Sequence, residues 1–330
     1  MSPDRPVDRS TGKAGGVPSR RAARRLAWVV LGAVAGVAAL AGGWWAAGLR
    51  AEAGGPVERF SHVHGLDAPA WAGGDLLVAT HHGVLRVLPD GRWRTVPGPA
   101  HDLMGFRAHP SRVGHLYGSG HPDLHSGLPN PLGLLRSEDR GRSWSPVSLQ
   151  GTADFHALTV QATDGDVLFG FDATGMRLLR SLDGGRRWAR IPAEPLLVAG
   201  GVMAVEIDPG DADILWAGTP RGLWSSDDAG ERWTDSDFGG LPVTALRASA
   251  DGRWFAYVGH PDLGLVTRDP GTVGWRRLGL WVGGDDAVGH VAPHPTEPGT
   301  LFAGTLGMSV FATRDGGVTW EVLAERGVPR

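Results

Sequence analysis

From Gly54 onward, apolar residues arrive in short runs that end at Gly, Pro or Asp. Runs of this length with turn residues between them predict strands and exclude long helices. Six of them predict inner strands over His62–Ala68, Met104–His109, His156–Ala162, Val202–Asp208, Val243–Ser249 and Val288–His294. Six more, Asp75–Thr80, His115–Ser119, Asp166–Phe171, Ile214–Thr219, Trp254–Gly259 and Thr300–Thr305, follow them as partners. One stretch departs from the pattern. Residues 26–49 form 24 consecutive uncharged positions, long enough for a helix that crosses a bilayer.

The strand pairs belong to a repeat. Ser137–Trp144 (SEDRGRSW), Ser181–Trp188 (SLDGGRRW), Ser226–Trp233 (SDDAGERW) and Thr313–Trp320 (TRDGGVTW) share the pattern [S/T]-x-D-x-G-x-x-W. Degenerate copies end at Trp93 and Trp275. Successive tryptophans lie 51, 44, 45, 42 and 45 residues apart, the length of a four-stranded propeller blade. In each copy Asp139, Asp183, Asp228 and Asp315 would accept backbone N–H groups in a turn whose Gly has positive φ. Trp144, Trp188, Trp233 and Trp320 would pack between blades. We read these eight residues as structural.

The motif is the Asp box, so the chain resembles the Asp-box (BNR-repeat) propellers. That group includes sialidases, xyloglucan-cleaving glycosidases, sortilin-type receptors and a photosystem II assembly factor. The segments HVHGL, HDLMGF, SGHPD, NPLGLLRS and DFH also resemble bacterial exported, glycosylhydrolase-like members of the group. The resemblance implies an all-β propeller of six blades, with seven as the alternative, and residues 56–60 are expected to pair with the last blade. A sialidase is disfavoured: its arginine-bearing motif before the first repeat is missing, and both tyrosines, Tyr117 and Tyr257, fall inside predicted strands.

Charge divides the chain. Residues 1–25 carry +5 and the remainder −8, with Arg20, Arg21, Arg24 and Arg25 directly before the apolar segment. The expected layout is a cytoplasmic tail (1–25), a membrane anchor (26–49), a linker (50–56) and an extracytoplasmic propeller (57–330). Cleavage after Ala51-Glu52-Ala53, releasing a secreted domain, is the alternative. An acidic ectodomain argues against nucleic acid as a partner. The absence of cysteine removes thiolate metal sites, disulfides and cysteine nucleophiles.

Blade connectivity places candidate chemistry. In an antiparallel blade of strands A to D, the B–C turns and D–A connections share the face opposite the Asp boxes. Nine of the 13 histidines fall there: His62, His64, His81, His82, His101, His121, His125, His156 and His260. Together they form the candidate ligand-binding set. Asp102, Asp123, Asp154 and Asp262 on the same face are candidates for the two carboxylates of a glycosidase. His62, His64, His101, His121 and His156 are candidate ligands of a divalent metal, Zn, Cu, Ni or Mn, the ions suited to imidazole and carboxylate. A glycan, a metal or a docked peptide are the ligands this face suits.

Overall fold

The computed structural model describes residues 54–330, which form a six-bladed propeller. The apolar segment at 26–49 lies outside the described residues. Among the described residues no helix is long and apolar enough to cross a membrane.

Blade one contains β1 (Gly65–Asp67), β2 (Leu76–Thr80), β3 (Gly83–Val87) and β4 (Trp93–Thr95). The chain continues as β5 (Asp102–Leu103), β6 (Arg107–Ala108), β7 (Leu116–Gly118), β8 (Gly120–His121), β9 (Leu134–Ser137) and β10 (Ser145–Ser148). Of these, β6, β7, β9 and β10 build blade two, while β5 and β8 pair as a separate ribbon. That ribbon and the loop after it account for the one long spacing. Blade three has β11 (Phe155–Val160), β12 (Leu168–Asp172), β13 (Arg177–Ser181) and β14 (Ala189–Ile191). Blade four has β15 (Ala204–Ile207), β16 (Leu215–Thr219), β17 (Gly222–Ser226) and β18 (Thr234–Asp237). In blade five stand β19 (Val243–Ala248), β20 (Trp254–Val258), β21 (Gly264–Arg268) and β22 (Arg276–Arg277). Blade six has β23 (Val288–Pro293), β24 (Leu301–Thr305), β25 (Val310–Thr313) and β26 (Glu321–Glu325), with β27 (Val328–Pro329) at its edge. All ladders are antiparallel, and β1, β6, β11, β15, β19 and β23 contact one another in sequence around the axis. The ring has six members, not seven.

Ring closure differs from the expectation. Residues 54–57 run along blade one, with Gly54 N–H donating to Thr95 O at 2.7 Å and Pro56 bridging Arg94. So residues 54–56, expected as linker, edge the first blade. Only Phe60 reaches the last blade, donating to Gly327 O at 2.8 Å. Among the described residues no strand is exchanged between blades. Closure instead rests on packing of Phe60, Leu66, Leu76 and Trp93 against Phe302, Val310 and Leu323.

The same logic repeats around the ring. The core is divided into six apolar clusters, each between two successive blades, and each contains one repeat tryptophan: Trp93, Trp144, Trp188, Trp233, Trp275 or Trp320. Several also donate Nε1–H backward to the preceding blade. Trp188 reaches Ser148 Oγ (3.0 Å), Trp233 reaches Pro192 O (3.1 Å) and Trp320 reaches Leu278 O (2.6 Å). The turns before them are alike. Ser137 Oγ donates to Asp139 Oδ1 (2.9 Å) and accepts Gly141 N–H (2.8 Å), while Asp139 Oδ1 accepts Ser143 N–H (2.9 Å). Ser181, Ser226 and Thr313 make the same bonds to Asp183, Asp228 and Asp315. Gly141, Gly185, Gly230 and Gly317 sit at φ of +80° to +91°, which an L side chain would strain. Bonds from the Arg187 guanidinium and backbone hold the Asp183 carboxyl at about 2.

His109, on the A–B turn of blade two, is also structural. Its Nδ1 accepts N–H from Ser111 (3.2 Å) and Arg112 (3.1 Å). Burial, with Arg112 and His115 nearby, lowers its pKa to about 4. The unfolded chain therefore binds this proton first as pH falls, and stability is lost from about 6.5 down to about 4. Asn in its place offers an acceptor that does not titrate. His109→Asn should move the acid-unfolding midpoint to lower pH, followed by tryptophan fluorescence; an unchanged midpoint would mean that His109 does not drive acid unfolding.

Candidate functional site

At the end of the axis opposite the repeat turns, blades one to three bring imidazoles and carboxylates together. The pairing of β1 with β2 extends one residue further, since His64 N–H donates to Ala79 O at 2.9 Å. This fixes His64 beside the β2–β3 turn. Thr80 Oγ1 shapes that turn by accepting His82 N–H (3.1 Å) and donating to Gly83 O (2.9 Å), and His81 stands at its tip. His62 precedes β1 at φ +46°, a left-handed conformation that a non-glycine residue adopts rarely. The ribbon then supplies Asp102 and, directly across it, His121.

Two groups result, each centred on a carboxylate. In the first, His81 Nδ1 lies 2.7 Å from Asp102 Oδ2, and His64 Nε2 lies 3.4 Å from both Asp102 Oδ1 and His81 Nδ1. The His62 ring is 4.5 Å from that of His81, and one nitrogen from each of the three histidines falls within 4.8 Å of the others. In the second, Asp154 Oδ2 accepts from His156 Nε2 at 2.9 Å and lies 3.6 Å from His121 Nε2, while His121 Nδ1 meets Asn130 Oδ1 at 2.8 Å. Asp172 orients this group by accepting Asp154 N–H (2.9 Å) and the Arg177 Nε–H (2.7 Å). Both central carboxylates keep one buried oxygen, Oδ1, without a hydrogen bond.

The groups share the axis. His64 and His156 line one narrow cavity of about 30 Å³, together with Met104, Met203 and His290. Burial, reinforced by His81, His62 and His156, lowers His64 to about 4 against the pull of Asp102. His156 moves up, because its bond to Asp154 favours the charged ring. The two imidazoles on the cavity are thus shifted in opposite directions. Burial lowers His290 to about 3, assisted by Arg107 and His64. Below the cavity four charges close the axis. Arg247 Nη2 binds Asp67 Oδ1 (3.0 Å), and Glu206 Oε2 accepts from Arg107 Nη2 (3.3 Å) and Thr159 Oγ1 (3.1 Å).

Other candidates stand apart. His101 is buried, its Nδ1 accepts Asp123 N–H at 2.9 Å, and it is not among the histidines whose nitrogens converge with those of His62 and His64. Asp123 is held in the same turn, accepting N–H from Ala100 (3.1 Å) and His125 (2.8 Å). These backbone bonds lower its pKa. His121 and His156 gather on Asp154 instead of on His62 and His64, and the places they leave are filled by His81 and Asp102. His82 and His125 are exposed, with no part in either group. The GHPD segment of blade five is a local turn in which Asp262 N–H donates to His260 Nδ1 at 3.2 Å. Sequence reasoning missed His290, Asn130 and the axial charges. His290 and the charges lie within predicted inner strands, where a polar residue among apolar ones was the available signal.

No protein-family model and no curated protein shows a match to the sequence. Solved structures do match. The fold is similar to a GH74 xyloglucanase from Xanthomonas campestris at 23% identity and a TM-score of 0.56, over 82% of this chain and 46% of that one. A GH74 enzyme from Niastella koreensis matches at 17% identity, TM-score 0.56, over 82% of this chain and 46% of that one. An extracellular domain from B. thetaiotaomicron, described as that of a hybrid two component system, matches at 13% identity and TM-score 0.52, over 83% of this chain and 35% of that one. The chain spans less than half the length of each. The likeness is one of fold.

Proposed function

We propose that the chain is a membrane-anchored, extracytoplasmic Asp-box propeller, glycosylhydrolase-like, that binds a polar ligand at the mouth formed by blades one to three. The Asp-box assignment is supported by the four turns with identical hydroxyl–carboxylate bonding. The anchor rests on the uncharged segment at 26–49 and the arginines before it, and it puts the propeller outside the cytoplasm. One observation carries the ligand reading: two carboxylate-centred histidine groups face a common axial cavity, which strand packing does not require. Polar groups cost free energy when buried without partners, and the two orphaned carboxylate oxygens are such groups. A glycan at the mouth would meet the half-exposed rings of His81, His121 and His156, which contact Asp102 and Asp154, the candidate carboxylates of a glycosidase.

A panel of glycans that includes xyloglucan oligosaccharides tests this, by calorimetry for binding and by product analysis for cleavage. Asp102→Asn and Asp154→Asn should each weaken binding at least about tenfold, the loss of one charge-assisted hydrogen bond. Equal affinity in folded variants would overturn the reading. A second reading, a receptor that docks a peptide, is favoured by Leu124, which is 96% exposed in the blade-two loop on this same face.

A further inference from the structure

We propose that His62, His64, His81 and Asp102 bind one divalent transition-metal ion of the zinc or copper type. The inference deepens the reading of the mouth as a polar-ligand site, on which it rests. A tetrahedral ion with bonds of about 2.0–2.1 Å needs ligand atoms about 3.3–3.4 Å apart. His64 Nε2 stands 3.4 Å from His81 Nδ1 and 3.4 Å from Asp102 Oδ1, so His64 already has that spacing to two of the other three ligands. His62 completes the set, its ligating nitrogen within 4.8 Å of those of His64 and His81.

A further feature points to a cation. Asp102 Oδ2 lies 2.7 Å from His81 Nδ1, so an ion taken by that nitrogen displaces the proton between them, whereas Asp102 Oδ1 is buried, faces His64 and accepts no hydrogen bond. Desolvating a carboxylate oxygen in this way is costly, and a positive ion offsets it. His62 is held at φ +46° directly before a strand, a conformation that costs free energy in a non-glycine residue. That conformation breaks the extended run and lets His62 and His64 stack with ring centroids 5.6 Å apart. Three imidazoles with one carboxylate exclude calcium and magnesium, which take oxygen ligands, and favour zinc or copper over manganese.

The test uses the tag-free full-length chain, stripped with chelator, then exposed to Zn²⁺ or Cu²⁺ and desalted. Elemental analysis should find one ion per chain, and bound Cu²⁺ should show nitrogen hyperfine splitting in electron paramagnetic resonance. His64→Ala should abolish retention, His81→Gln should weaken affinity at least about tenfold, and His260→Ala should leave both unchanged. If His64→Ala does not fold, His81→Gln decides. No stoichiometric ion in the unmodified chain, or full affinity in folded His81→Gln, overturns the metal site. Glycan binding measured on the same preparations separates the two ideas. Retained glycan binding without an ion removes only the metal, and an ion without any polar ligand removes only the broader reading.

Discussion

Replacing Trp233 by Ala is expected to cost about 3–5 kcal/mol of stability, the range for truncating a large buried aromatic. Trp233 is only 8% exposed and stands between blades three and four among Ile191, Leu196, Val205 and Leu215. The change removes the ring, leaves a cavity that a stack of twisted sheets cannot close, and strands Pro192 O without its donor. Trp144, Trp188 and Trp320 fill equivalent places but are half-buried, so the same change there should cost less. Urea unfolding of the full chain gives the comparison, with a lower midpoint and an unchanged slope. A loss below about 1 kcal/mol would show that the inter-blade clusters do not carry the fold. Metal and glycan binding should survive, because Trp233 follows a turn at the far end of the axis.

The architecture was legible because it repeats. Each blade needs one turn, one glycine at positive φ and one tryptophan against its neighbour, so six tryptophans numbered the blades. The exceptions have local causes. The strand expected over Met104–His109 is reduced to β6, and within the expected span Gly105 comes so close to blade three that a Cβ there would lie 2.5 Å from Phe155 O. The strand expected from His62 begins at Gly65, since His62 is left-handed. Connectivity alone brought the histidines to one face. It carried no information on which would meet, because that depends on side-chain direction within turns. His101, between β4 and β5, and His81, between β2 and β3, belong to the same face, yet one accepts Asp123 N–H while the other reaches Asp102. The repeated GHPD segments show the same limit: in blade two Asp123 braces a loop, and in blade five Asp262 points to solvent.

Glu206→Gln is expected to destabilise the propeller by about 3–5 kcal/mol, although it preserves the shape of the side chain. Asp67, Arg107, Glu206 and Arg247 come from four inner strands and lie across the axis, each with a side chain at most 15% exposed. Arg247 has a second partner in Asp67. Arg107 does not: its contact with Glu206 is its ion pair, its Nη1 reaches only Phe106 O at 3.4 Å, and its Nε is buried without a partner. Removing the Glu206 charge leaves two enclosed guanidiniums, Arg107 and Arg247, with the one carboxylate of Asp67, and uncompensated buried charge is among the largest single-site costs. Arg107→Met combined with Glu206→Met should recover much of the loss, since apolar replacement of a whole buried pair is often neutral. The double-mutant cycle then gives a coupling of at least about 2 kcal/mol, and additive losses would mean that the two residues act independently. The consequence reaches the mouth. Arg107 lines both the narrow cavity under His64 and His156 and a cavity of about 430 Å³ at the opposite end. The four charges thus stand between the two cavities, and the same replacement that destabilises the fold removes part of the charged wall between them.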